Sequence, residues 1–405
     1  MSDGVLDPRA ERRLIFLLAC IQFTHITDFV VMMPLGPQFM RVFSLEPHQF
    51  SLLVSVYSVS AAVFSLGAAF LVDRWDRKRS LIWVYLGFVV GTLLCGLSHT
   101  YPQLLIARVM AGAFGGTCSA ICFAIVGDVI PSHRRGRAMG ALMASFSVAS
   151  VVGLPIGLFS AAHFGWETVF LGIAAIGCLV CGIVWRAVPP LRFHLEKEPT
   201  RGLWQEIREI LQTPVCLQGL AFIGCVTATG FLIIPFLSPS LVSNAGVREE
   251  QLSWLYLTGG ICTFFSSQAV GRLCDVWGHK TVFRWMSVIA LVPLYLVTHL
   301  APIAFPLILA ACALFMMFVS GRMVPSMALI TSLVPAQRRG AYMSLSSFVQ
   351  QVSMGIASFT AGQLVARGAD GRLLHFDRAT MLAYLLTGAA LYLVTALKPD
   401  EPALT

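Results

Sequence analysis

"AFLVDRWDRKRSL" (69–81) and "GRLCDVWGHKTVF" (271–283) align without a gap, pairing Leu71 with Leu273, Asp73 with Asp275, Trp75 with Trp277 and Lys78 with Lys280. Each stretch follows an apolar run long enough to cross a bilayer and carries basic residues into a short loop. A second pair, "PSHRRGRAM" (131–139) and "PAQRRGAYM" (335–343), recurs at nearly the same offset. Two matches in corresponding loops mark an internal duplication, and a duplication constrains the whole fold before any local pattern is read.

The chain around these loops is that of a polytopic membrane protein. Of its 405 residues 57% are hydrophobic and only 12% charged, with a mean hydropathy of +0.78, far from a soluble domain with about a quarter of its residues charged. A helix needs about 20 apolar residues to cross the hydrocarbon core. Runs near 14–35, 50–72, 80–98, 103–127, 138–160, 167–186, 215–237, 251–274, 281–300, 304–330, 341–364 and 379–397 meet this. They exceed the roughly ten residues of a barrel strand, and backbone groups in lipid must be satisfied internally, so the spans are helical. The expected class is an all-α membrane protein with twelve transmembrane helices in two pseudo-symmetric six-helix bundles. The first run lacks a small-residue cleavage site and is followed by many like it, so it reads as a retained span.

The formal charge of +8 sits in short loops rather than on one patch or arm, which argues against a nucleic-acid partner. Placing the N-terminus in the cytoplasm puts most arginines and lysines on one side, leaving Arg41, Arg248, Arg367, Arg372 and Arg378 on the other. Both termini are therefore expected in the cytoplasm. The polar interval 187–214 divides the chain into an N-terminal bundle (1–186) and a C-terminal bundle (215–405). Its segment "RGLWQEIREILQ" reads either as an amphipathic helix on the cytoplasmic surface or as a solvated connector.

Composition and motifs also exclude. The eleven cysteines lie in or beside apolar runs and read as small hydrophobes. Cys178 and Cys181 have no accompanying histidine or second cysteine pair for a metal site. No cofactor is expected. The chain has no G-x-x-x-x-G-K-[ST] loop for ATP, and no G-x-S-x-G or H-E-x-x-H for hydrolysis, so it is not read as an enzyme.

The loop after span two carries Leu71, Asp73, Arg74, Arg77 and Lys78, with Ala69 and Asp76 where a related pattern has glycines. Its second copy keeps Gly271, Leu273, Asp275, Gly278 and Lys280. Span four carries "ARVMAGAFGG", with Arg108 and Gly112, and span five carries "GLPIGLFSAAHFGW", with Gly153, Pro155 and Gly157. Through these residues essentially the whole chain resembles the major facilitator superfamily, and more narrowly its bacterial twelve-helix drug and sugar proton antiporters. In span five the usual Gly-Pro is split by Leu154, and Leu158 stands for a glycine. The resemblance implies the major facilitator fold in a bacterial inner membrane, with a monomer as the functional unit. It also implies a cytoplasmic gate built from Asp73, Arg74, Arg77, Lys78, Asp128, Arg135, Asp275 and Lys280. Gly153, Pro155 and Gly157 pack or hinge span five.

The intramembrane charges carry the functional reading. Asp28 is the acid nearest a span centre, with His25 one turn before it. Arg108 lies in span four and Arg322 in span ten. A charge at such depth costs roughly 2.5–3.5 kcal/mol on insertion scales and needs a partner or a wet cavity. In the resembled fold spans one, four, seven and ten line the central cavity. Burial tightens a carboxyl group's hold on its proton and a nearby arginine loosens it, so Asp28 facing Arg108 or Arg322 forms a proton switch. A static ion pair and a purely substrate-binding role remain alternatives. His25 is either a proton relay or a packing residue.

Candidate substrate-cavity residues are Gln22, Phe29, Met33, Phe231, Met317, Gln350 and Gln351, a mixture that suits a small amphipathic or weakly polar compound. The expected function is secondary transport by proton-coupled efflux, with the small-molecule substrate, protons and the lipid bilayer as partners. Uptake by proton symport or facilitated diffusion is the alternative, and a non-transporting membrane receptor a more distant one.

Overall fold

The computed structural model describes residues 7–72, 75–191, 203–335 and 338–397. In chain order its helices are α1 (Pro8–Val31), α2 (Gly36–Val42), α3 (Pro47–Val72), α4 (Arg77–Gly96), α5 (Tyr101–Val129), α6 (Ser132–Val148), α7 (Leu154–Phe164), α8 (Glu167–Ala187) and α9 (Leu203–Gln212). They continue with α10 (Pro214–Phe231), α11 (Ile234–Ser243), α12 (Glu249–Trp277), α13 (His279–Thr298), α14 (Phe305–Gly321), α15 (Met323–Ser332), α16 (Arg339–Leu364) and α17 (Phe376–Ala396). A π-helical turn, Ala149–Gly153, joins α6 to α7. A two-stranded antiparallel ribbon, β1 (Ala366–Arg367) and β2 (Leu373–Leu374), precedes α17.

Among the described residues ten helical stretches are long and apolar enough to cross a membrane. The expected spans at 251–274 and 341–364 are also long helices, α12 and α16, but they carry many hydroxyl and amide side chains, among them Gln350 and Gln351 of α16.

Four expected spans are interrupted, and proline explains where. Proline has no N–H to offer the carbonyl four residues back. α10 ends at Phe231, four residues before Pro235, and α14 ends at Gly321, four before Pro325. α1 ends at Val31 just ahead of Pro34, and the π turn lies just ahead of Pro155.

The chain forms two compact units. The first comprises residues 1–32 and 56–200, the second 33–55 and 201–405. The first unit packs Leu18 and Ile21 of α1, Tyr85 and Phe88 of α4, Ile121 and Ile125 of α5 and Leu142 of α6 into one buried cluster. Glycines set the helix spacing there: a Cβ on Gly91 of α4 would lie 2.7 Å from the Ala111 backbone nitrogen, and one on Gly116 of α5 2.6 Å from the Ala61 Cβ. Small residues at such crossings let backbones approach closely.

The second unit is built on Phe222 and Phe283, whose rings meet edge to face at 4.8 Å, with Ile223, Leu329, Tyr342 and Val394 around them. Of the segment "RGLWQEIREILQ", the described part, Leu203–Gln212, is a helix, α9, and a docked one: Ile210 is fully buried in this cluster and Glu209 pairs with Arg338 at 2.7 Å. The hairpin 33–55 also belongs to this unit, held where Gly36 meets Phe50 and Pro239 and where Arg41 pairs with Glu249. Asn244 clips the ribbon by donating to the Leu373 carbonyl and accepting from its N–H, both at 2.8 Å.

The duplication is physical. Lys78 Nζ donates to the Trp185 carbonyl at the end of α8 at 2.8 Å, and its counterpart Lys280 donates to the Leu397 carbonyl just after α17. Arg134 pairs with Glu11 at 3.2 Å, and its counterpart Arg338 pairs with Glu209. Asp76, which replaces a family glycine, caps α4 by accepting from Lys78 N at 2.8 Å and Arg79 N at 3.4 Å, and also accepts from Leu191 N at 3.3 Å. The second copy keeps glycine there, Gly278 at φ +78°, and makes the turn through backbone freedom instead.

Candidate functional site

The site grows from α1. Asp28 lies a little over a turn before the break at Met32–Leu35 and is completely buried, as is Arg108 of α5. Arg108 Nη1 donates to Asp28 Oδ2 at 2.9 Å, and Thr92 Oγ1 of α4 donates to Oδ1 at 3.1 Å. Above the guanidinium lies the Tyr57 ring of α3, its centroid 4.2 Å from Cζ, a cation–π contact strengthened by desolvation. Four helices thus supply one anion, one cation, a hydroxyl and a ring. All four groups belong to the first unit.

The glycines after Arg108 explain why its motif has that composition. Gly112, one turn on, faces the Tyr57 carbonyl and Ser60, so α3 comes close enough to lay Tyr57 over the arginine. A Cβ on Gly115 would lie 2.6 Å from His25 Cδ2 and 2.8 Å from Tyr57 Oη. His25 occupies that space, 6.3 Å from the Tyr57 ring and 5.9 Å from Phe88. Neither His25 ring nitrogen nor Tyr57 Oη has a hydrogen-bond partner among the described residues. Gly153 abuts Thr27 and Gly157 abuts Val31: an added Cβ would lie 2.7 Å from Thr27 Oγ1 and 3.2 Å from Val31 Cγ2, respectively. The Gly-x-Pro-x-Gly stretch therefore clasps α1 on either side of Asp28, and Pro155 starts α7 after the π turn.

Between the two arginines left open by the sequence, Asp28 meets Arg108. Arg322 lies in the second unit at the joint between α14 and α15, only 1% exposed. Its Nη2 donates to the Val226 carbonyl of α10 at 3.3 Å, and its Nε has no partner among the described residues.

The remaining expected residues are dispersed. Gln22 is buried and ties α1 to α5 through Ser119 Oγ at 3.0 Å. Phe29 packs on Tyr57 at 5.1 Å. Met33 is buried in the second unit, where Phe231, Met317, Gln350 and Gln351 are half-buried. Of the gate residues, Arg77 Nε donates to Asp128 Oδ2 at 3.1 Å, while Arg135 and Asp275 are exposed. Asp73 and Arg74 lie outside the described residues. Thr92, Tyr57 and Gly115 were not singled out from sequence. The available signal was one hydroxyl or phenol within an otherwise apolar span, which many packing residues share. Among the described residues no group of three His, Cys, Asp or Glu side chains is placed to hold a metal.

The family model described as Major Facilitator Superfamily matches residues 18–358, with a further match over 220–404. An uncharacterized MFS-type transporter, YceJ of Bacillus subtilis, is 25% identical over 353 residues, covering 86% of this chain and 88% of that protein. A probable sugar efflux transporter of Mannheimia succiniciproducens is 22% identical over 310 residues, covering 76% and 77%. Among solved structures, a D-xylose-proton symporter superposes with a TM-score of 0.75 at 14% identity, covering 96% of this chain and 98% of that one.

Proposed function

The chain belongs to the Major Facilitator Superfamily, is thus a membrane transporter rather than an enzyme, and we propose that it exports a small amphipathic or weakly polar compound in exchange for protons. The proposed moving bodies are residues 1–186 and 215–405, joined by 187–214, rocking about a midplane site in the inner membrane of a bacterium with both termini in the cytoplasm. It functions as a monomer.

The observation that carries the reading is the buried Asp28–Arg108–Thr92 constellation. A carboxylate buried at that depth holds a negative charge only with a cation beside it. Protonation removes the negative charge and frees Arg108, which keeps the Tyr57 ring face as its other contact. A conformation that draws Arg108 away from Asp28 favours the protonated form, and one that brings them together expels the proton. Substrate that favours the second conformation competes with the proton, and the two are then exchanged across the membrane. His25, one turn nearer the N-terminus, relays that proton toward the cytoplasm, its ring nitrogens being unengaged by other described residues. The Arg77–Asp128 pair, with Asp73, Arg74, Lys78 and Arg135, and the second copy with Asp275 and Lys280, form the cytoplasmic gate.

Support for the outward direction comes from the resemblance to the antiporter branch and from the relative named a probable sugar efflux transporter. Purified protein in liposomes tests the proposal. An imposed pH gradient drives uphill movement of substrate against the proton flow in the native protein, and Asp28→Asn abolishes the uphill part while exchange survives. Substrate moving with the proton instead would establish symport, and full accumulation by Asp28→Asn would sink the switch.

A further inference from the structure

We propose that Arg322 is the substrate anchor, selecting compounds that carry a carboxylate over their neutral counterparts and against organic cations. This deepens the transport reading given above and rests on it.

The first support is charge accounting. In the first unit the buried acid and base cancel, because Arg108 faces Asp28. In the second unit Arg322 is just as buried, yet among the described residues no carboxylate reaches it; its Nη2 donates to a backbone carbonyl at 3.3 Å. A guanidinium offers five N–H donors, and a cation inside a membrane protein normally has a partner or marks a substrate path. An anion arriving with the substrate supplies what the protein omits.

Arg322 is also not a second copy of the proton machinery. The two loop repeats are offset by 202 and 204 residues. Shifted by those offsets, Asp28 falls on Gly230–Leu232 and Arg108 on Ala310–Cys312, positions without an ionisable carboxylate or guanidinium. Arg322 in turn falls opposite Cys118–Ala120 of α5, where Ser119 receives Gln22. The second unit has lost the acid–base pair and gained a cation of its own.

The backbone supplies the third observation. Arg322 is the single residue between α14 and α15, and Val226, its acceptor, lies on α10 less than two turns before the break at Leu232–Ile233. Interrupted helices inside a membrane persist where protein or a cavity covers them, and in transporters they form substrate sites. The same segments present half-buried Met316, Met317, Phe318 and Met323, adaptable apolar surface for the body of an amphipathic acid. Charge-assisted bidentate pairing with a carboxylate is stronger than any neutral contact the arginine could make, and a cation brought to the same place is repelled.

Equilibrium binding to the purified full-length protein tests this with matched probes: salicylate and nalidixate, each against its amide, and tetraphenylphosphonium as the lipophilic cation. The expected result is carboxylates bound at least about tenfold more tightly than their amides, a difference of about 1.4 kcal/mol, with no displacement by the cation. Arg322→Gln brings the ratio to about one, and Arg322→Lys, which keeps the charge but not the planar fork, retains part of it. Asp28→Asn keeps the carboxylate preference while losing proton-driven accumulation, so the two proposals fail separately. A wild-type ratio of one, absent carboxylate binding, displacement by the cation, or a ratio that survives Arg322→Gln overturns the anchor. The wild-type comparison decides even where the glutamine variant does not fold.

Discussion

Asp28→Asn, Arg108→Gln and the double variant form a cycle that measures the central pair. The asparagine keeps the shape of the carboxylate and an acceptor for Thr92, but it removes the charge 2.9 Å from Arg108 Nη1. At that separation, with an effective dielectric of about 20, the attraction is about 6 kcal/mol before desolvation is charged against it. Removing one member of a fully buried pair leaves the other uncompensated and typically costs about 3–5 kcal/mol. Each single variant is therefore expected to lose about that much. The double variant, with two neutral amides in nearly the same volume, is expected to lose no more than either single, for a coupling of at least about 3 kcal/mol. Equilibrium unfolding in mixed micelles, followed by tryptophan fluorescence, reads the cycle. In liposomes a gradient of about two pH units, at about 1.36 kcal/mol each, lets the native protein sustain about a hundredfold substrate gradient for one-for-one exchange with the membrane potential clamped at zero; Asp28→Asn relaxes to unity. Strictly additive single losses would refute the reasoning, since the two charges would then not be stabilising one another.

Three other outcomes are expected. Gly112→Val drives a side chain into the Tyr57 carbonyl and Ser60 and costs about 1–3 kcal/mol or the fold itself, whereas Gly127→Ala, with nothing within 4 Å of the added Cβ, is neutral or stabilising; yield and unfolding midpoint compare them. Arg41→Ala shifts stability by less than about 1 kcal/mol, because the Arg41 side chain is 65% exposed. Glu249 holds the Arg41 guanidinium above its usual proton affinity, so the residue stays charged throughout the working pH range and the difference fades with salt rather than with pH. His25→Phe fills the same space and slows proton-driven transport severalfold without abolishing it; loss of all coupling would make His25 an obligatory carrier, and an unchanged rate would reduce it to packing.

Much of the architecture was legible because repetition and hydropathy are recorded along the chain. The matched Lys78 and Lys280, or Arg134 and Arg338, kept their identity because each pair performs one task twice. The helix breaks ahead of Pro34, Pro235 and Pro325 were not read from the sequence, because the hydropathy of the spans runs straight across them. The choice between Arg108 and Arg322 as the partner of Asp28 was not legible. Both are mid-span arginines, and what decides between them is which helices abut, a property fixed by Gly91, Gly112 and Gly116 at crossings that no spacing rule assigns. Thr92 and Tyr57 were hidden for the same reason, since a hydroxyl acquires its role from the neighbour that packing delivers.

The paired lysine contacts have a consequence for how such a chain arose. Lys78 and Lys280 each fasten the loop after the second span of a half to the carbonyl end of that half's last helix. Each half therefore carries its own fastening between its beginning and its end, made with its own residues. A gene encoding one half would already have specified this fastening, and tandem copying needed only a tether of permissive sequence. The tether could lengthen or diverge while both fastenings survived, and the interiors were free to specialise, one toward an acid–base pair and the other toward a solitary cation.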